Sequence, residues 1–432
     1  MGKNIEKLLN KANQLYSAKL YKKAAKTFTS LGNSYVDLGD YERAKECFFN
    51  AARSFLEIEK FFQSIDSLRY AAGASLFNNN YIEAIDLYKK AFDYIPNLKN
   101  SSNRYQNILL FSCLSYLCLL IKGRHEEGLN LVKKYKNYVE DRYFKENNLT
   151  ILVKDLTIAL NEKKIRYLDK IEHDFHNFNF REPENILVKK ALLLVNTLIS
   201  LKTYLSIDKE VYTTNDLITL TLEIDPTPLL DISDHEFYNY QINELKISKI
   251  GITLSDNFTT QEKPELPLIL KLGHIHKLSF KIKPHFQLEK PFIGPILITS
   301  ELDNEMIFYH TTSQQISPHL ISPPPSLEIS IKNLRPPLID KTFPLEILIE
   351  NKSEGEALDL NVEITFPDEM KVMRGTLKKQ IYSLKPNEDM KWEINLKPLE
   401  AGDYTITIDT TFKDPDSNQI TETKEFPFSI KL

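Results

Sequence analysis

Glycine, cysteine and tryptophan are scarce in this chain: 432 residues hold 12, 3 and 1 of them. The glycines are scattered, and neither G-x-x-x-x-G-K-[ST] nor G-x-G-x-x-G occurs, so no loop brings backbone amides up to a nucleotide phosphate. Cys47, Cys113 and Cys118 are too few for a disulfide framework, and the last two lie five residues apart in an apolar helical run where they do not meet. They read as small core residues in a reducing compartment, with no basic neighbour to make a thiolate. No G-x-S-x-G elbow is present. The histidine pairs His173/His176 and His274/His276, with His285 near the second, lack a cysteine or an acidic third ligand at metal spacing, and read as ordinary surface or core residues. The carboxylates scatter along solvent faces with no pair across one cleft. The expectation is a protein without catalytic residues, cofactor, metal or small-molecule substrate.

An apolar leader is missing too. The start, "MGKNIEKLLNKAN", has no h-region, and Glu6 stands where a myristoylation signal needs Ser or Thr. The expected location is the cytoplasm. The longest apolar run, "ILLFSCLSYLCLLI" at 108–121, is shorter than the roughly 20 residues of a membrane span and reads as a buried helix.

What is present divides the chain. With 42% hydrophobic and 26% charged residues it has material for two or three domains. Residues 1–202 carry 32 Lys and Arg against 23 Asp and Glu, net +9; the remainder carries 23 against 36, net −13. Proline is absent from the first half except at Pro96 and Pro183. There "YKKAAKTFTSL", "YERAKECFFNA", "FFQSIDSLRYA" and "YIEAIDLYKKA" begin at 21, 41, 61 and 81, an aromatic first and a small residue three later: Ala24, Ala44, Ser64, Ala84. Tyr41, Ala44, Phe48 and Ala51 draw one stripe down a helix. The turns "AKL", "LGD", "IEK" and "NNN" can only reverse the chain, so the period predicts antiparallel helices that hide each other's stripes.

Two helices make a repeat of forty. "LGNSYVDLGDYERAKECFFNAA" resembles the tetratricopeptide pattern through Leu31, Gly32, Tyr35, Gly39, Tyr41, Ala44, Phe48 and Ala51, and "YIEAIDLYKKAFDYIP" resembles the second half of another repeat. The long period is similar to that of the soluble NSF attachment proteins, the SNAP adaptors of membrane fusion. "FKENNLTILVKDLTIALNEKKIRYLDKIEHDFHNF" followed by "ENILVKKALLLVNTLISL" resembles their closing helices. Two features differ from that family: Ser17–Leu20 is too short for its membrane loop, and Leu192, Leu193 and Leu194 lead into a β half.

From 203 onward the hydrophobic period becomes two, as in "DLITLTLEI" at 216, "KLSFKIKP" at 277 and "DYTITIDTTF" at 403. In the last, Tyr404, Ile406, Ile408 and Phe412 face one way. After the run "SPHLISPPPS" at 317–326, seven strands are expected, near 327–332, 343–351, 357–366, 372–382, 389–397, 403–413 and 419–431. That spacing suits an immunoglobulin-like sandwich. "LEAGDY" at 399–404 is similar to a tyrosine corner, "FPLEILIENKSEGEALDLNVEITFP" resembles the B and C strands of CARDB-type modules, and Trp392 falls on the inward face.

The reading is a multidomain α + β chain: a TPR/SNAP-like α-solenoid over 1–202, an irregular Ig-like β-sandwich over 203–318, broken by the insertion "DPTPLLDISDHEFYNY", a proline-rich linker over 319–326, and an Ig-like sandwich over 327–432. The pairing is similar to subunits of TRAPP-type vesicle tethers and to coat proteins with appendage domains, and with a lysine- and asparagine-rich composition it suits an Asgard archaeal source. The expected function is a non-enzymatic adaptor or scaffold, holding a helical or extended protein segment. In the tetratricopeptide register the concave face presents Lys26, Thr29, Asn33, Asp66, Arg69 and Leu76. Basic runs at Lys22 and Lys23, at Lys133, Lys134 and Lys136, and at Lys163, Lys164 and Arg166 offer contact to an anionic membrane or an acidic partner. Nucleic acid is not expected at a pI near 6.2. The alternative reading is a sensor whose β domains bind carbohydrate or another ligand.

Overall fold

The computed structural model describes residues 2–285, 288 and 290–431. Helices α1 (Gly2–Ser17), α2 (Tyr21–Asp37), α3 (Tyr41–Leu56), α4 (Phe61–Phe77) and α5 (Tyr81–Tyr94) pack each against the next. Their start points carry the period of twenty. So does a feature the residue types do not reveal: Lys19, Gly39, Glu59 and Asn79 all take positive φ, at 58°, 72°, 53° and 56°. Each closes its helix with the same pair of bonds; in the second turn Gly39 N donates to Val36 O and Asp40 N to Tyr35 O, both at 2.9 Å. The residue after each left-handed position then starts the next helix. Asp40 caps α3 by accepting from Arg43 N at 3.2 Å, and Asn80 caps α5 by accepting from Glu83 N. Asp40→Ala is expected to lower stability by about 1 kcal/mol in urea unfolding, the usual value of such a cap.

The stripe at 41, 44, 48 and 51 is the seam of α3: Ala44, Phe48 and Ala51 are buried, and Tyr41 stacks on Phe77 at 4.7 Å. Gly32 serves close packing here, since a Cβ on it would lie 2.6 Å from the Phe48 ring. The solenoid continues through α6 (Ser101–Ile121), α7 (His125–Lys136), α8 (Asp141–Glu146), α9 (Asn148–Glu162), α10 (Arg166–His173) and α11 (Glu182–Ser200). At 21 residues α6 is long and apolar enough to cross a membrane, but 78% of its apolar window is buried inside the fold, including every residue from Ile108 to Ile121. All three cysteines are free and buried, and burial pushes the Cys47 thiol up to about 12.

The β half opens with β1 (Lys202–Ile207), β2 (Val211–Thr213) and β3 (Ile218–Asp225), followed by a short helix α12 (Pro228–Ser233) inside the expected insertion, packed on α11. Next come β4 (Leu245–Leu254), β5 (Phe258–Glu262), β6 (Leu268–Leu270), β7 (His276–Pro284), β8 (Ile293–Leu302), β9 (Met306–Thr311) and β10 (His319–Ile321). Two four-stranded sheets, β1-β3-β7-β5 and β6-β4-β8-β9, make the first sandwich. The first three residues of the expected linker depart from that reading: as β10 they pair in parallel with β2. Among the described residues this sandwich has no core of its own. One apolar cluster runs from Ala12 to Leu320, through the helices and both sheets, because β9 packs on α6 and α11.

Beyond the linker the core is separate. Strands β11 (Leu327–Asn333), β12 (Phe343–Asn351), β13 (Ala357–Thr365), β14 (Met370–Arg374), β15 (Lys378–Leu384), β16 (Asp389–Pro398), β17 (Gly402–Lys413) and β18 (Gln419–Ile430) form two sheets, β11-β12-β16-β14 and β15-β13-β17-β18. The strand expected at 372–382 is two strands. Gly375, at φ +117° and with no room for a Cβ beside Ile394, turns the chain from one sheet to the other. Tyr404 OH donates to Glu400 O at 3.3 Å, the bond of a tyrosine corner. Trp392 is half-buried on the face of Ile394 and Leu396, with Lys379 Nζ 4.9 Å from its ring.

Candidate functional site

The inner face of the solenoid is largely filled by the chain itself. Helix α11 lies along α4, α6 and α9, so over that stretch it occupies the groove a partner was expected to enter. An open stretch remains beside α2. A groove of about 360 Å³ is lined by Val36, Phe48, Tyr70, Gly73, Phe77 and the start of α11 at Arg181–Pro183, with Asn33 at its rim.

Each wall has a local cause. Phe48 and Tyr70 stack at 5.2 Å, and the Arg181 guanidinium sits over the Tyr70 ring, 3.8 Å from its centroid. Gly73 lets α11 approach, since a Cβ there would stand 3.0 Å from Pro183. The start of α11 is pinned by charge. Arg69 Nε donates to Glu184 Oε1 at 2.6 Å with its Nη2 on Oε2, a two-pronged pair, while Arg181 binds Asp66. Glu184 is 1% exposed and also accepts from Arg181 N at 2.8 Å, which caps the helix. Burial works against the Arg69 charge, and the hydrogen bonds of Glu184 outweigh it, so its pKa is raised.

The residues singled out on the concave face separate accordingly. Asn33 and Arg69 line the groove, and Asp66 adjoins it through Arg181. Lys26 is exposed outside the lining, and the Thr29 hydroxyl is spent on Ala25 O at 2.9 Å. Leu76 is a correction: it is a core residue, 5% exposed. Neighbouring helices cover α4 on several sides, so every residue from Ala71 to Leu76 is buried and no exposed stripe exists there. Tyr70, Gly73, Phe77, Arg181 and Pro183 were not anticipated. The proline within "FREPEN" marked the start of α11, but its docking on α4 had no local signal.

The basic runs lie on different elements. Lys22 and Lys23 are exposed at the start of α2, and Lys133 and Lys134 at the end of α7, where Lys136 pairs with Asp141 at 3.4 Å. Lys163 ends α9 at positive φ, Lys164 pairs with Glu162, and Arg166 stacks on Tyr167. His276 Nε2 lies 3.0 Å from the Lys271 backbone, and His173 faces Asp174. Among the described residues no group of three or more His, Cys, Asp or Glu could hold a metal ion.

A second polar cluster joins the solenoid to the first sandwich. Glu305, in the β8–β9 turn, accepts from Lys190 Nζ of α11 at 2.6 Å and from the Tyr81 hydroxyl. Its backbone oxygen accepts from Lys122 Nζ at 3.0 Å. Burial, then the Glu305 carboxylate, pushes the Tyr81 pKa far up, so its hydroxyl stays a donor. These residues are closed off within the seam and hold it together.

No family model matches the chain, and no curated protein does. Among solved structures, a cohesin module from a Clostridium perfringens family 33 glycoside hydrolase matches 24% of this chain and 96% of its own, at 16% identity and a TM-score of 0.18. That score is too low to carry an argument about the chain's fold or activity.

Proposed function

We propose that the chain is a non-enzymatic adaptor or scaffold, and that the open groove between α2, α4 and the start of α11 holds a helical or extended segment of another protein. The observation that carries this is the groove itself: the Tyr70 ring, 39% exposed and backed by the buried Phe48, stands open with the half-buried Val36, Phe77 and Pro183 between elements already locked by the Arg69–Glu184 and Arg181–Asp66 pairs. Such a surface is in place before a partner arrives, so little ordering is lost on binding. Placement of the solenoid with tetratricopeptide and SNAP adaptors, of the sandwiches with Ig-like CARDB modules, and of the whole in a trafficking-like assembly of the TRAPP type belongs to the same proposal. Its support is the forty-residue repeat and the closing helix. Residence in the cytoplasm, with peripheral membrane contact through the basic runs, is proposed on the sequence grounds given above.

Crosslinking in native extract, read by mass spectrometry, tests it. The expected result is a partner segment crosslinked through Lys26 or Lys22. Asn33→Trp fills the rim without touching the core, and should weaken capture about 30-fold, the size of a lost hot spot, with the melting temperature unchanged. Capture indifferent to Asn33→Trp removes the groove from the reading. A saturable sugar ligand with no protein partner favours the sensor instead.

A further inference from the structure

β18 is the outermost strand of its sheet. β17 pairs along all of it on one side, from Gly402↔Ile430 to Lys413↔Gln419, and among the described residues no strand lies on the other. Lys431, just past its end, bridges in parallel to Leu338, and the twelve residues before it are left as a bare edge that invites any extended chain, unless its side chains discourage it. Here they discourage most. The register sets Glu422 opposite Thr410 and Lys424 opposite Ile408, on the face that packs inward. A foreign strand laid along this edge would cover both charges without answering them.

One strand answers them: a second β18 running antiparallel. Ile420-Thr421-Glu422-Thr423-Lys424-Glu425-Phe426 is self-complementary about Thr423. In that register Glu422 of each copy meets Lys424 of the other, Ile420 meets Phe426, and Thr423 meets itself. A slip by one residue turns the inward set outward. A slip by two sets Glu422 against Glu422 or Lys424 against Lys424, and directly opposed like charges destabilise a strand pair. Within the monomer Lys424 Nζ reaches Leu327 O at 2.9 Å, and Glu422 forms no ion pair among the described residues. Pro427, which lacks an N–H, is a residue that sheets tolerate at an edge.

We propose that β18 is a homodimer interface, joining two copies antiparallel about Thr423 so that two four-stranded sheets become one of eight. The Glu422–Lys424 pairs select the register and reject other strands. The inference is independent of the groove.

Sedimentation equilibrium on the full chain tests it. The wild type should show a concentration-dependent dimer. Glu422→Lys alone and Lys424→Glu alone each oppose like charges twice, and each should weaken self-association at least about tenfold. An equimolar mixture of the two variants again opposes unlike charges at every pair, and should form a heterodimer within about threefold of the wild-type affinity. Glu422→Lys keeps the Lys424–Leu327 bond, and circular dichroism checks that both variants fold. A wild type monomeric at every concentration, a dimer that neither substitution weakens, or folded variants that do not associate when mixed would each overturn the proposal.

Discussion

Lys190→Met is expected to lower the stability of the solenoid and first sandwich by about 3–5 kcal/mol, the cost of removing one partner from a buried ion pair. Both side chains are 11% exposed, so water does not substitute for the lost partner. Glu305 would keep the Tyr81 hydroxyl and lose the ammonium 2.6 Å from its Oε1, leaving a carboxylate inside the seam between α11 and β9. Lys190→Met with Glu305→Leu removes both charges, and should recover part of the loss: no buried carboxylate is left unanswered, and the Tyr81 hydroxyl, which loses Glu305, keeps Asn79 Oδ1 at 3.4 Å. Urea unfolding followed by far-ultraviolet circular dichroism measures both variants. Since residues 327–430 have a core of their own, a separate transition for that sandwich should stay where it is. A single variant as stable as the wild type would mean that this pair does not hold the seam.

The same cluster marks the limit of what the sequence gives away. The twenty-residue period, the alternation in β17 and the tyrosine corner at Tyr404 are local patterns, set by residues within a turn or two of one another, and they could be read directly. The left-handed residues that close the turns were invisible, because Lys19 and Glu59 hold the conformation that glycine takes at position 39. Gly375 was visible, but a lone glycine in an alternating run does not say that the chain changes sheets there.

The groove was legible only in part for the same reason. Asn33 and Arg69 follow from repeat register, which is local. Arg69–Glu184 spans 115 positions, and Lys190–Glu305 another 115, so neither partner can be found by spacing. The placement of α11 against α4 decides which part of the solenoid stays open, and it depends on packing between elements more than 100 residues apart. Leu76 was misplaced by treating α4 as a helix with one covered side.

Acid should destabilise the protein through His310 before most carboxylates titrate. His310, on β9, is 5% exposed; its Nε2 lies 2.9 Å from Thr203 Oγ1, and its Nδ1 is buried without a hydrogen-bond partner among the described residues. Burial, and then the charge of Lys163, lowers its pKa from 6.5 to about 4. The unfolded chain therefore takes up the proton first as pH falls. Stability from a neutral His310 is fully present above about 6.5 and is lost progressively down to about 4, in total about 3 kcal/mol. Asp216, held low by the Thr213 N–H, and Asp225, held low by the Thr227 hydroxyl, act below the ordinary carboxylate pKa, while burial lowers the His125 pKa too. The comparison with His310→Gln isolates the one imidazole: the amide can still meet Thr203 but does not titrate. Between pH 6.5 and 4 the wild type should lose stability more steeply than the variant, by up to about 1.4 kcal/mol per pH unit, the slope of one proton. Parallel profiles would mean that His310 takes up its proton as readily folded as unfolded, and that the space around Nδ1 admits an imidazolium.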